Sequence, residues 1–205
     1  MAKVLIAYNN ASNVNLHNFF QACADDVRQY CVDNNMEYIS LFPPQFTETE
    51  VSGGMIDSQL CFVAAHGDAN GIYNEEDAAV ISTKTTNYYF KDKGLYCVVC
   101  SCAQYLISEL QRIGLKIFVG YNDAFGTDGN LDIFKDCALE GIRQLLLGKN
   151  VAEAKRLMLQ KYDECIDAAN QNKDSWSTRD ILLDNREHLV FEGQDNLTIN
   201  DLLKN

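Results

Sequence analysis

Basic side chains are scarce: 17 Lys and Arg stand against 29 Asp and Glu, a formal charge of −12. A nucleic-acid groove or an anionic membrane surface needs clustered cations, so neither is expected as a partner. Small molecules, proteins or basic peptides fit that charge better. No apolar run approaches the ~20 residues that span a bilayer. The N-terminal apolar segment is too short for a signal peptide and reads as a first strand. Histidine occurs three times, at His17, His66 and His188. Proline occurs twice, as the adjacent pair Pro43 and Pro44, which forces one break. With no internal repeat, low-complexity tract or domain boundary, residues 1–205 are expected to form one domain.

Against these shortages stand an ordinary 47% of hydrophobic residues, enough for a large core, and eight cysteines. Most of the cysteines fall inside apolar strand or helix patterns, where a free thiol behaves as a small buried hydrophobe. That usage points to a reducing, cytoplasmic setting rather than a disulfide framework.

Continuous apolar runs at residues 4–8, 59–65, 95–101 and 115–121 read as strands buried on both faces. Residues 36–42 and 188–191 are further strand candidates. Helical spacing carries the segments between them: Leu16 to Tyr30, Ala103 to Ile113, Ile133 to Leu146, and Val151 to Ile166. Asn150 with Glu153 three residues on makes a capping box for the last of these. Residues 67–77 read as irregular surface, 78–90 as short β-prone pieces, and 170–177 as a polar stretch. Strands alternating with helices imply a mostly parallel sheet covered on both faces.

Two of the buried strands deliver a reactive side chain at their C-terminal ends, one His66 and the other Cys102. In open parallel sheets, sites lie beyond the C-terminal strand ends, where both would sit. A helix beginning at Ala103 would place Cys102 at its N-terminus, where the dipole favours a thiolate. The backbone N–H groups of Gly67 and Cys102 could then form an oxyanion hole. Cys102 is therefore the expected nucleophile and His66 the proton-transferring group of a Cys/His hydrolase. Cys97 and Cys100 point to opposite faces of a strand, which argues against metal or redox use of that C-x-x-C. Cys100 is expected to share a face with Cys102 and to belong to the core.

An apolar block ending in His66-Gly67, then another ending in Ser101-Cys102, resembles the peptidase clan of caspases, legumains, separases and CHAT domains. The segments 110–120, 133–134 and 146–154 are most similar to CHAT domains, and 188–195 resembles a terminal strand-and-turn of several clan members. The resemblance implies a caspase-like three-layer α/β sandwich, with a mostly parallel sheet of about six strands and helices on both faces. It implies a cysteine endopeptidase acting on a protein or peptide substrate, with no metal or organic cofactor. Clan members often read the residue before the scissile bond with an acid near the strand after the nucleophile. Asp123, then Asp128, are the positions nominated, and an acid there would favour Arg or Lys; either residue would equally serve to shape a turn. Ala103-Gln104-Tyr105 departs from the glycine that usually follows the cysteine. Control is expected from an activating protein in trans or from chain cleavage, for which Lys173 and Arg179 mark a candidate site. CHAT-like peptidases are associated with bacterial defence. Two other readings stand beside this one: a catalytically silent caspase-like adaptor, and a flavodoxin-like FMN binder. The loop 9–14 lacks the glycine that the FMN reading needs.

Overall fold

The computed structural model describes residues 2–171 and 176–203. Its strands are β1 (Lys3–Tyr8), β2 (Glu37–Leu41), β3 (Leu60–Ala64), β4 (Gly67–Asp68), β5 (Gly71–Tyr73), β6 (Ala79–Ser82), β7 (Gly94–Val98), β8 (Ile117–Tyr121) and β9 (Leu189–Gly193). The helices are α1 (His17–Asp33), α2 (Glu48–Asp57), α3 (Leu106–Arg112), α4 (Leu131–Leu146), α5 (Val151–Asn170) and α6 (Trp176–Glu187). Six strands form one sheet in the order β2-β1-β3-β7-β8-β9. All neighbours run parallel except β8 and β9. This is the expected mostly parallel sheet.

Every residue of β3, β7 and β8 is buried, which is why these strands lack a polar alternation. Alternate side chains enter two different cores. Leu60, Phe62, Ala64, Tyr96 and Val98 meet α1, α4 and α5 on one face. Cys61, Val63, Leu95 and Cys97 meet α2, α3 and the small β4-β5-β6 sheet on the other.

Four local expectations change. Residues 67–77 are not irregular but carry β4 and β5, which join β6, formed by one of the expected β-prone pieces, in that antiparallel three-stranded sheet. Residues 88–90 form a 3₁₀ turn rather than a strand. Helix α2 escapes sequence reading because Gly53 and Gly54 dilute it and it buries just Val51 and Met55. Helix α6 escapes because two of its three buried residues, Thr178 and Asn185, are polar. Lys173, half of the candidate processing site, lies outside the described residues; Arg179 sits on α6 and binds Asp180 and Asn170.

Candidate active site

The reactive residues follow the C-terminal ends of β3 and β7, next to the point between β1 and β3 where strand order reverses. There the outgoing loops diverge and leave a crevice. His66 follows β3 and is exposed. Its Nε2 lies 2.9 Å from the backbone carbonyl of Asn15, in the loop between β1 and α1. A carbonyl only accepts, so Nε2 carries the proton in this contact and Nδ1 is left as the proton-exchanging nitrogen. The ring stands edge-on against Phe20 of α1, centroids 5.2 Å apart. Leu16, at φ 60, turns the loop sharply into α1 just after Asn15.

Ala64 of β3 pairs with Val98 of β7, and Ala65 N–H reaches the Val98 carbonyl at 3.4 Å. The pairing ends there; beyond it His66 packs on Phe20 and Cys100 packs against the same α1–α4–α5 core, so both lie on that side of the sheet. Cys100 packs with the α1–α4–α5 core, and it is the one cysteine of the eight that is not buried. Its Sγ accepts a hydrogen bond from the Phe125 N–H at 3.4 Å. Burial pushes the Cys100 thiol up, and the Phe125 N–H opposes that shift by favouring the thiolate. Phe125 in turn stacks on Phe19 of α1, centroids 5.9 Å apart.

Cys102 takes the opposite direction. It is fully buried in the α2–α3 core, with Sγ 3.6 Å from the Val99 carbonyl. Had the strand continued, Cys100 and Cys102 would share a face, as expected from the sequence. Instead Ser101 sits at φ 54, which ends the alternation and turns the next side chain over. Helix α3 also begins at Leu106 rather than Ala103, after a turn over residues 101–105. Cys102 therefore has no helix N-terminus behind it. Cys102 is thus sealed in the α2–α3 core, whereas Cys100 lies against the α1–α4–α5 core, the side on which His66 packs on Phe20.

Gly67 permits close approach to the segment after β7. A Cβ there would lie 2.3 Å from Val99 Cγ1 and 2.7 Å from the Gly71 carbonyl, and it would face the Cys100 carbonyl at 3.5 Å. The turn holding Cys100 is pinned from below by β8 and its following loop. Ser101 N–H donates to Asp123 O at 2.8 Å, Ala103 N–H to Tyr121 O at 2.9 Å, and Gln104 Nε2 to Asn122 O at 2.8 Å.

Two hollows adjoin His66. One of ≈ 300 Å³ is bounded by Asn13, Asn15, Glu75 and Asp77, and another of ≈ 430 Å³ by Gly67, Asp68, Tyr73 and Asp77. Glu75 Oε2 is buried without a hydrogen-bond partner among the described residues. Asp123 and Asp128 line neither hollow. Asp123 Oδ1 accepts from Ala124 N–H at 2.7 Å, while Asp128 accepts from Asn130 N–H at 2.8 Å and from the Thr178 hydroxyl. Both shape the β8–α4 loop. The sequence did not single out Asn15, Glu75 or Asp77. Backbone acceptors and loop acids leave no pattern in a single chain, whereas Cys100 was visible and was assigned to the core.

Among the described residues no group of three His, Cys, Asp or Glu is arranged to hold a metal ion, and no helix is long and apolar enough to cross a membrane. No protein-family model matches the chain, and neither does any curated protein. Among solved structures, it is similar to a complex of the pro- and mature domains of RgpB from Porphyromonas gingivalis. The TM-score is 0.66 at 10% identity, over 96% of this chain and 48% of the other. The chain thus spans about half the length of that structure's chain. The architecture is caspase-like, and the likeness does not single out CHAT domains.

Proposed function

We propose that the protein is a cysteine peptidase in which Cys100 is the nucleophile and His66 moves the proton. The carrying observation is that the half-buried Cys100 thiol and the His66 imidazole end adjacent strands on one face. The likeness of fold to a cysteine-peptidase domain supports the reaction class. Asn15 acts as the orienting group: by holding Nε2–H it leaves Nδ1 to take the thiol proton. The thiolate adds to the scissile carbonyl, and Gly67 N–H steadies the oxyanion. Imidazolium then protonates the leaving amine, and water, deprotonated by His66, releases the acyl group from sulfur. In this reading Cys102 is a packing thiol.

Glu75 and Asp77 beside His66 take over the specificity role first given to Asp123 and Asp128. A Lys or Arg side chain entering the hollow would satisfy the unpartnered Glu75 oxygen and offset the local negative charge. The similar solved structure pairs pro- and mature domains, which supports control of this chain by a partner or pro-segment as well.

The test is a peptide-based acyloxymethyl ketone with Arg next to the warhead, applied to the wild type and to Cys100→Ala, Cys102→Ala and His66→Ala. Labelling and cleavage lost in C100A and H66A but kept in C102A support the reading. Loss confined to C102A and H66A would restore the pair expected from sequence. No labelling of any protein, across basic and neutral probes, would favour a catalytically silent adaptor.

A further inference from the structure

We propose that Asn185, on α6, is a positioning residue that sets the Cys100 thiol by fixing the backbone N–H aimed at it. Asn185 is fully buried, and its amide is used twice on a single residue. Gly126 N–H donates to Asn185 Oδ1 at 2.8 Å, and Asn185 Nδ2 donates to Gly126 O at 2.8 Å. Such a two-point clasp fixes both the position and the tilt of the Gly126 peptide. The preceding residue is Phe125, whose N–H reaches Cys100 Sγ. Gly126 is what lets α6 come this close, since a Cβ there would lie 2.7 Å from Ile181 Cγ2.

The same helix grips the loop elsewhere without touching the thiol. Thr178 donates its hydroxyl to Asp128, and the His188 carbonyl, just past α6, receives Asn122 N–H at 2.9 Å. These contacts supply an internal control. A merely structural role for α6 predicts that loosening any of them acts on Cys100 alike; a positioning role predicts that the Asn185 clasp alone does. The other groups that bear on Cys100 are Cys102 from its own turn, Asp123 from the β8–α4 loop and the backbone N–H of Cys100 itself. None is altered by changing Asn185.

The inference rests on Cys100 being the reactive thiol, and its test reads that thiol directly. In the full chain, iodoacetamide alkylation of Cys100 is followed against pH by peptide-resolved mass spectrometry. The proteins are wild type, Asn185→Ala, Asn185→Thr (uncharged and close in volume, should the alanine variant fold poorly) and Thr178→Ala. Losing one N–H bond to a thiolate should move the Cys100 midpoint up by on the order of one pH unit, so alkylation well below the midpoint slows about tenfold. T178A should leave the midpoint in place. No upward shift in either Asn185 variant, or an equal shift in T178A, overturns the proposal. The peptidase reading is judged separately: cleavage that survives C100A sinks Cys100 as nucleophile even where the Asn185 shift is present.

Discussion

Cys100 and Cys102 stand two positions apart yet point into opposite cores, because Ser101 between them holds φ 54. The Cys100 thiol is partly exposed on the side of the sheet that carries α1, and the Cys102 thiol is sealed in the opposite core.

The two substitutions should therefore separate stability from activity. Cys102→Ala removes a fully buried sulfur and should cost roughly 1–2 kcal/mol in urea unfolding while cleavage remains. Cys100→Ala should cost under about 0.5 kcal/mol and abolish cleavage. Unfolding curves beside a peptide-cleavage assay check both, and the reverse pattern would contradict the assignment.

Gly120 makes room for the sealed thiol. A Cβ there would lie 2.8 Å from Cys102 Sγ and 3.0 Å from the Phe118 ring. Gly120→Ala should destabilise by about 1–3 kcal/mol. Adding Cys102→Ala should recover part of that loss, with a coupling of about 1 kcal/mol in a double-mutant cycle. Strict additivity would mean that Cys102 does not fill that space.

Gly67→Ala meets harder atoms. Its Cβ would stand 2.7 Å from the Gly71 carbonyl, backbone that cannot rotate away, as well as 2.3 Å from Val99 Cγ1. The strand after His66 would have to move, so about 2 kcal/mol or more of stability and most of the activity should go together. A Gly67→Ala protein with wild-type cleavage would remove Gly67 from the oxyanion role.

The buried thiols predict an alkaline limb. Burial pushes the Cys31 thiol up to about 12, and the Cys23 and Cys61 thiols further still. Raised values mean the folded state holds these protons more tightly, so their contribution is fully present below the ordinary thiol value near pH ~8.5. As pH rises past that value the unfolded thiols ionise first, and stability falls by about 1.4 kcal/mol per pH unit for each such thiol. Urea unfolding from pH 7 to 10 should show a plateau and then a decline, shallower in Cys61→Ala.

The strands β3, β7 and β8 were legible because each is one uninterrupted apolar run, and α5 because Asn150 and Glu153 cap it. Helix α6 was not, since its buried face carries Thr178 and Asn185, whose partners Asp128 and Gly126 lie some fifty residues or more earlier. Strands β4 and β5 were missed because two or three residues show no period, whereas Val80-Ile81 of β6 read as β-prone.

For the site, the chain alone determined that a histidine and a cysteine-rich segment would end neighbouring strands of a parallel sheet. Burial patterns are local and survive in the order of residues. Which core each thiol faces was decided by tertiary structure. One left-handed residue reverses the face of everything after it, and it is held there because Ser101 N–H and Ala103 N–H both find acceptors on β8 and its loop. Those acceptors lie about twenty positions downstream in sequence, so no spacing rule applied to Leu95–Ala103 could have chosen between Cys100 and Cys102.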